Sequence, residues 1–234
     1  VLNVDTGVPL APVIATVATN DIINDSEATA GFNITGTGEI GATVTLTFAS
    51  SRTLASGNTA TVDGSGNWSI AVVDADVTAF GEGSESITAV QADAAGNISV
   101  SSAAKDVTVD TGIPLAPVIA TVATNDIIND AEATAGFNIT GTGEVGAIVT
   151  LAFASNRTLA SGNTATVDGS GNWSIAVVAA DVTAFGQSFE VMTAVQTDNA
   201  GNTSVAAPKV LNVDTGVPLA PVIATVATND IIND

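Results

Sequence analysis

The sequence predicts an all-β protein built from tandem Greek-key sandwiches, and three observations carry that expectation. The run Val-Asp-Thr-Gly begins at Val4, Val109 and Val213, so the 234-residue chain repeats itself about every 105 residues. That period matches a sandwich domain of about 100 residues and exceeds the roughly 20–50 of a solenoid unit. Within each period apolar and polar residues alternate, as in antiparallel strands with one buried and one wet face. Turn residues interrupt the alternation about every ten positions.

The repeats divide the chain into residues 1–109, residues 110–213 and a trailing piece, 214–234, that opens a third copy with its first strand. Val1 to Asp25 and Val210 to Asp234 have the same sequence. Since the chain starts and stops inside this motif, both natural termini are expected to lie elsewhere.

The elements follow in order within the first repeat. After the linker and the Asn20-Asp21 turn, Phe32 and Ile34 begin the alternation, and Gly36 to Gly41 break it. Val44, Leu46 and Phe48 make the next strand, ended by the Ser56-Gly57-Asn58 turn. Beyond the turn at Asp63-Gly64-Ser65-Gly66, Trp68, Ile70 and Val72 face one way. Asp74 to Phe80 fits a single helical turn, with an acid at the end where the helix dipole favours it. Ala94 to Asn97 form another turn, and Val107 and Val109 close the repeat. About seven strands fit. Alternation alone does not separate an immunoglobulin-like sandwich from a jelly roll.

Composition narrows the function. The chain holds 24 Asp plus Glu against four Lys plus Arg, a formal charge of -20, with no Cys, His or Tyr. Nucleic acids and anionic membranes both need Lys and Arg to displace counterions, so neither is an expected partner. Without cysteine there are no disulfides and no thiolate chemistry. The carboxylates are expected to lack side-chain counter-ions, which leaves hard cations as their partners. The longest apolar stretch, Val8 to Ala18, is too short to span a bilayer and is broken by Pro9 and Pro12. No enzyme is expected. The carboxylate pair Asp74 and Asp76 loses one member in the second repeat, where Ala179 stands. Trp68 and Trp173 suggest sugar stacking, but each is in step with inward neighbours and is expected in the core.

Four motifs recur in the same order: the linker Val-Asp-Thr-Gly-Val-Pro, the stretch Asn20 to Ala28, the Asp63 to Ser69 turn and Asp93 to Asn97. Together they resemble the bacterial immunoglobulin-like repeats of giant repeats-in-toxin (RTX) and biofilm-associated adhesins. The resemblance implies seven-stranded immunoglobulin-like sandwiches joined by short Pro-containing linkers. It also implies a structural extender, exported by type I secretion to the bacterial cell surface, with Ca2+ at and near domain junctions. The alternative is an immunoglobulin-like module that binds a glycan or a protein. Asn199 stands where the first repeat has Ala94, and the stretch after Asn202 is one residue shorter than that after Asn97.

The expected ligands are oxygen donors, which calcium takes six to eight at a time in flexible geometry. Asp21, Asp25 and Glu27 in the acidic loop, with Asp110 from the next linker and Asp198 and Asn202 from the following repeat, form one expected site. The equivalent positions are Asp126, Asp130, Glu132 and Asp214, and, at the first linker, Asp5, Asp93 and Asn97. Pro114 and Pro117 stiffen the linker. Such a segment is expected to be monomeric, its partners being calcium ions and adjacent repeats of the same chain.

Overall fold

A computed structural model describes residues 4–224. Two compact units divide the chain: Val1–Leu115 with Thr197–Ser204, and Ala116–Gln196 with Val205–Asp234.

The first repeat runs β1 (Val13–Ile14), β2 (Ile22–Ile23), α1 (Asp25–Ala30), β3 (Phe32–Thr37), β4 (Thr43–Phe48), β5 (Thr59–Thr61), β6 (Asn67–Val72), α2 (Asp74–Phe80), β7 (Gly83–Ala92) and β8 (Lys105–Val109). One sheet has the order β1-β3-β6 and the other β2-β8-β7-β4-β5. The second repeat copies this with β9 (Val118–Ile119), β10 (Ile127–Ile128), α3 (Asp130–Ala135), β11 (Phe137–Thr142), β12 (Ile148–Phe153), β13 (Thr164–Thr166), β14 (Asn172–Val177), α4 (Ala179–Phe185), β15 (Ser188–Thr197) and β16 (Ala207–Val213). Its sheets are β14-β11-β9 and β10-β16-β15-β12-β13.

The opening strand is split between the two sheets. Its first half, β1, runs antiparallel to β3, and its second half, β2, runs parallel to β8. Between the halves the chain turns at Val17 to Asp21, where Ala18 and Asp21 both have positive φ. Asp21 closes this turn twice. Its amide donates to the Val17 carbonyl at 3.0 Å, and its Oδ1 accepts from the Val17 amide at 2.8 Å.

The alternation places the core where the sequence expects it. Val44, Leu46 and Phe48 pack with Trp68, Ile70 and Val72 and with Val107 and Val109. Trp68 is 3% exposed and Trp173 2%, which puts both indoles inside and leaves no face for sugar stacking. The indole of Trp68 donates to the Thr37 carbonyl at 3.2 Å. Gly36 is demanded by this arrangement, because a Cβ there would meet the Val13 carbonyl oxygen at 1.9 Å and the Trp68 ring at 2.5 Å.

Residues 214–224 have neither strand nor helix, and the remainder of the expected opening of a third repeat lies outside the described residues. Val222 and Ile223 match β1 in sequence. The third copy of the acidic stretch, Asn229 to Asp234, lies outside the described residues.

Candidate functional site

The linker, from Asp5 to Pro12, contains two prolines, which lack the N–H that a sheet ladder needs. Its carbonyls must find donors elsewhere. One donor comes from the turn after β7. There Asp93 Oδ1 accepts the amides of Ala95 and Asn97, each at 2.8 Å, and its Oδ2 accepts the Asn97 side-chain amide at 2.8 Å. The Asn97 side-chain amide, followed by these backbone N–H groups, holds the Asp93 carboxyl below the ordinary aspartate range. Asn97 Nδ2 also reaches the Asp5 carbonyl at 3.3 Å, while Asp5 Oδ1 accepts from the Gly7 amide at 2.9 Å.

The equivalent turn of the second repeat, Thr197–Ser204, belongs to the first compact unit. Asp198 Oδ1 accepts the amides of Ala200, Gly201 and Asn202 at 2.8–2.9 Å, and its Oδ2 accepts Asn202 Nδ2 at 2.8 Å. Asn202 Nδ2 donates to the Asp110 carbonyl at 2.8 Å. Its Oδ1 accepts from the Asp25 amide at 2.8 Å, and Asn24 Nδ2 donates to the Ala200 carbonyl at 3.2 Å. The exposed Asn199, which departs from the first copy, leaves this arrangement intact.

The acidic stretch Asn20 to Glu27 is not one open loop. It holds β2 and the start of α1, whose N-cap is Asn24. Asn24 Oδ1 accepts the Glu27 amide at 2.9 Å, and Glu27 Oε2 accepts the Asn24 amide at 3.3 Å. This capping box was present in the sequence as Asn-x-x-Glu, the signal that identifies the helix. Glu27 Oε1 accepts the Thr19 hydroxyl at 2.6 Å. Glu132 repeats this in α3, and the Thr124 hydroxyl and the Asn129 amide hold its carboxyl below the usual range.

Asp21 and Asp126 depart from the expectation of carboxylates without counter-ions. Asp21 meets the Lys105 ammonium at 2.7 Å, and Asp126 meets Lys209 at 2.8 Å. Burial raises the Asp21 carboxyl, but the hydrogen bond from Lys105, the Val17 amide and the lysine charge outweigh it, leaving it low. The same balance holds Asp126 low.

Within the first unit, Asp25, Asp110, Asp198 and Asn202 come together, while Asp21 and Glu27 are engaged in the turn and the helix cap. Among the described residues no three acidic side chains converge as a metal cluster. The donor set still suits a hard cation. With no cysteine or histidine in the chain, its donors are carboxylate, amide and backbone carbonyl oxygens, the kinds calcium accepts. Asp130 stands in the first turn of α3, as Asp25 does in α1. Asp214 Oδ1 accepts the Gly216 amide at 3.3 Å.

Each repeat also holds its outgoing linker. Glu82 accepts the Thr111 amide at 3.1 Å together with the Thr111 hydroxyl. In the second copy Gln187 Oε1 accepts the Thr215 amide at 3.0 Å, and Gln187 Nε2 donates to the Thr215 hydroxyl. What both copies retain is a hydrogen bond rather than a charge. Asp76, which the sequence offered as half of an acid-base pair, is buried and accepts the Ala55 and Val73 amides at 2.8 and 3.0 Å. It secures a loop and a helix start.

No curated protein matches the chain. Among solved structures, a Ca2+-stabilized adhesin with which an Antarctic bacterium reaches out and binds ice is 29% identical over 92% of this chain and 50% of its own, with a TM-score of 0.48. A 1.5-MDa bacterial ice-binding adhesin is 24% identical over 88% of this chain and 65% of its own, with a TM-score of 0.44. The chain thus spans half of the first and about two thirds of the second. Fibronectin(III)-like modules of Clostridium thermocellum CbhA, 14% identical over 87% of this chain and 94% of theirs at a TM-score of 0.50, share the sandwich fold. The family profile described as bacterial Ig domain matches residues 11–110 and again 116–212, one match per sandwich. With both sheets in place and a match over each repeat, the chain belongs to the bacterial Ig domain family.

Proposed function

We propose that this chain is a spacer segment of a large adhesin on the bacterial cell surface, made stiff by calcium at and near the junctions of repeats 1–109 and 110–213. The observation that carries this reading is repetition: one sandwich recurs with nearly the same loops and the same linker acids. A spacer needs equivalent units, whereas recognition modules diversify their loops. Among acids, the second copy replaces Asp74 by Ala179, Glu82 by Gln187 and Asp106 by Val210, while the linker and the acidic stretch keep theirs.

Asp25 and Asp110 would supply carboxylate oxygens to the proposed site, and bound calcium would offset the repulsion between them. A site of about 0.1 mM affinity in roughly 10 mM calcium gains about 2.7 kcal/mol from occupancy, enough to keep a joint closed. At cytosolic calcium the same site is nearly empty, which suits export of a looser chain by type I secretion. Catalysis has no part in this reading.

Small-angle scattering of the chain in 10 mM calcium and in excess chelator tests it. The expected result is a larger maximum dimension and a narrower distance distribution with calcium. Superimposable scattering curves in the two conditions would rule out calcium stiffening.

A further inference from the structure

We propose that the direction of the linker is set by two neutral side-chain amides, Gln91 and Asn97 in the first repeat, and therefore persists without bound metal. Pro9 and Pro12 are buried, but without an N–H they bar the linker from a ladder, and its apolar side chains Val8 and Leu10 are 64% and 85% exposed, so no sheet fixes the path of its backbone. Instead, Asn97 Nδ2 takes the Asp5 carbonyl at 3.3 Å and Gln91 Nε2 takes the Leu10 carbonyl at 2.7 Å. Two grips five residues apart fix a direction as well as a position.

Both amides are themselves held in one orientation. Gln91 is 2% exposed, and its Oε1 accepts the Glu39 amide at 3.0 Å, so its nitrogen must face the linker. Space for it is made at Gly38, where a Cβ would lie 2.4 Å from Gln91 Oε1. Asn97 Nδ2 sits between two acceptors, the Asp5 carbonyl and Asp93 Oδ2, which excludes the flipped amide. Gln91 stands on β7, a ten-residue strand between two partners, and Asn97 in a turn organised by Asp93. The supports are rigid on both sides. The second linker repeats the grip at Asn202, whose Nδ2 meets the Asp110 carbonyl at 2.8 Å.

Neither amide titrates or needs an ion. The inference rests on the spacer reading for its purpose, and it assigns the metal the remaining motion of the joint rather than the path of the linker.

The absence of cysteine allows a single nitroxide at Val8→Cys, and its electron paramagnetic resonance spectrum reports linker motion. The label is measured in calcium and in chelator, alone and combined with Asn97→Ala or Gln91→Met. The expected result is a slow label in chelator, with a rotational correlation time at least about threefold shorter in either combined variant. In a Trp173→Phe background, fluorescence from Trp68 checks that the first sandwich stays folded, and Asn97→Ala, lying in a surface turn, covers the case in which Gln91→Met unfolds it. A label already free in chelator, or one unaffected by both substitutions, would overturn the amide clamp. Calcium-independent scattering curves would instead remove the calcium reading and leave the clamp standing.

Discussion

Lys105 and Lys209 are two of only four basic residues in the chain, and each is spent on the equivalent aspartate, Asp21 and Asp126. The pairing ties the turn that splits the first strand to the last strand, since β2 runs parallel to β8. The Asp21 carboxyl lies below the ordinary aspartate value of about 3.9. Its ionisation therefore stabilises the fold fully above that value, and the contribution is lost as pH falls through the lower, folded one. With Lys105→Met, burial remains and its main opponent is gone. Carboxyl NMR titration is expected to show Asp21 moving up, with less than about 1 kcal/mol lost at pH 7 because the pair is partly exposed. An unmoved Asp21 would show that the Val17 amide alone holds it. Sequence reasoning reached Trp68 and Trp173 because alternation fixes which face they take. It did not reach the lysine pairs, since Asp21 and Lys105 lie 84 positions apart and meet only through the sheet order.

At the scale of elements, the strands with alternating residues, β4, β6 and β8 among them, were legible, as was the short helix α2. The ten-residue β7 was not picked out: its small and polar residues, among them Ser84, Ser86 and Thr88, weaken the apolar alternation. Helix α1 was hidden by its own acids, which also suit a cation loop. Its cap decides the matter. Asn24 satisfies the Glu27 amide, and Gly31, at φ 71°, ends the helix after six residues. Asn24→Ala is expected to cost about 1 kcal/mol in urea unfolding of the first repeat, and Asn24→Ser to restore most of it. An Asn24→Ala chain as stable as the parent would mean that α1 is held by packing of Ala28 alone. The site was legible in part for the same reason. Oxygen donors were visible in the sequence, but whether each served a turn, a cap or a linker depended on contacts between distant segments.

For the whole molecule, the question is whether the repeats unfold as one body or separately. The buried clusters share no residue: one runs from Val17 to Val109 and the other from Val122 to Val213. Each contains one of the two tryptophans, so removing either leaves a reporter for one repeat. Leu46 is 2% exposed and lies amid the first cluster, where truncation leaves a cavity that β4 and β7 cannot close. Leu46→Ala is expected to cost about 2–5 kcal/mol, and the loss should fall on one repeat alone. In a Trp173→Phe chain, Trp68 fluorescence should show the unfolding midpoint drop by the corresponding amount. In a Trp68→Phe chain carrying the same Leu46→Ala change, the Trp173 midpoint should stay where it was. Repeats with separate cores would localise damage, because an unfolded repeat lengthens the chain without unfolding its neighbour. If the Trp173 midpoint falls in step with that of Trp68, the repeats are energetically coupled, and stability in this chain belongs to the array and not to the single sandwich.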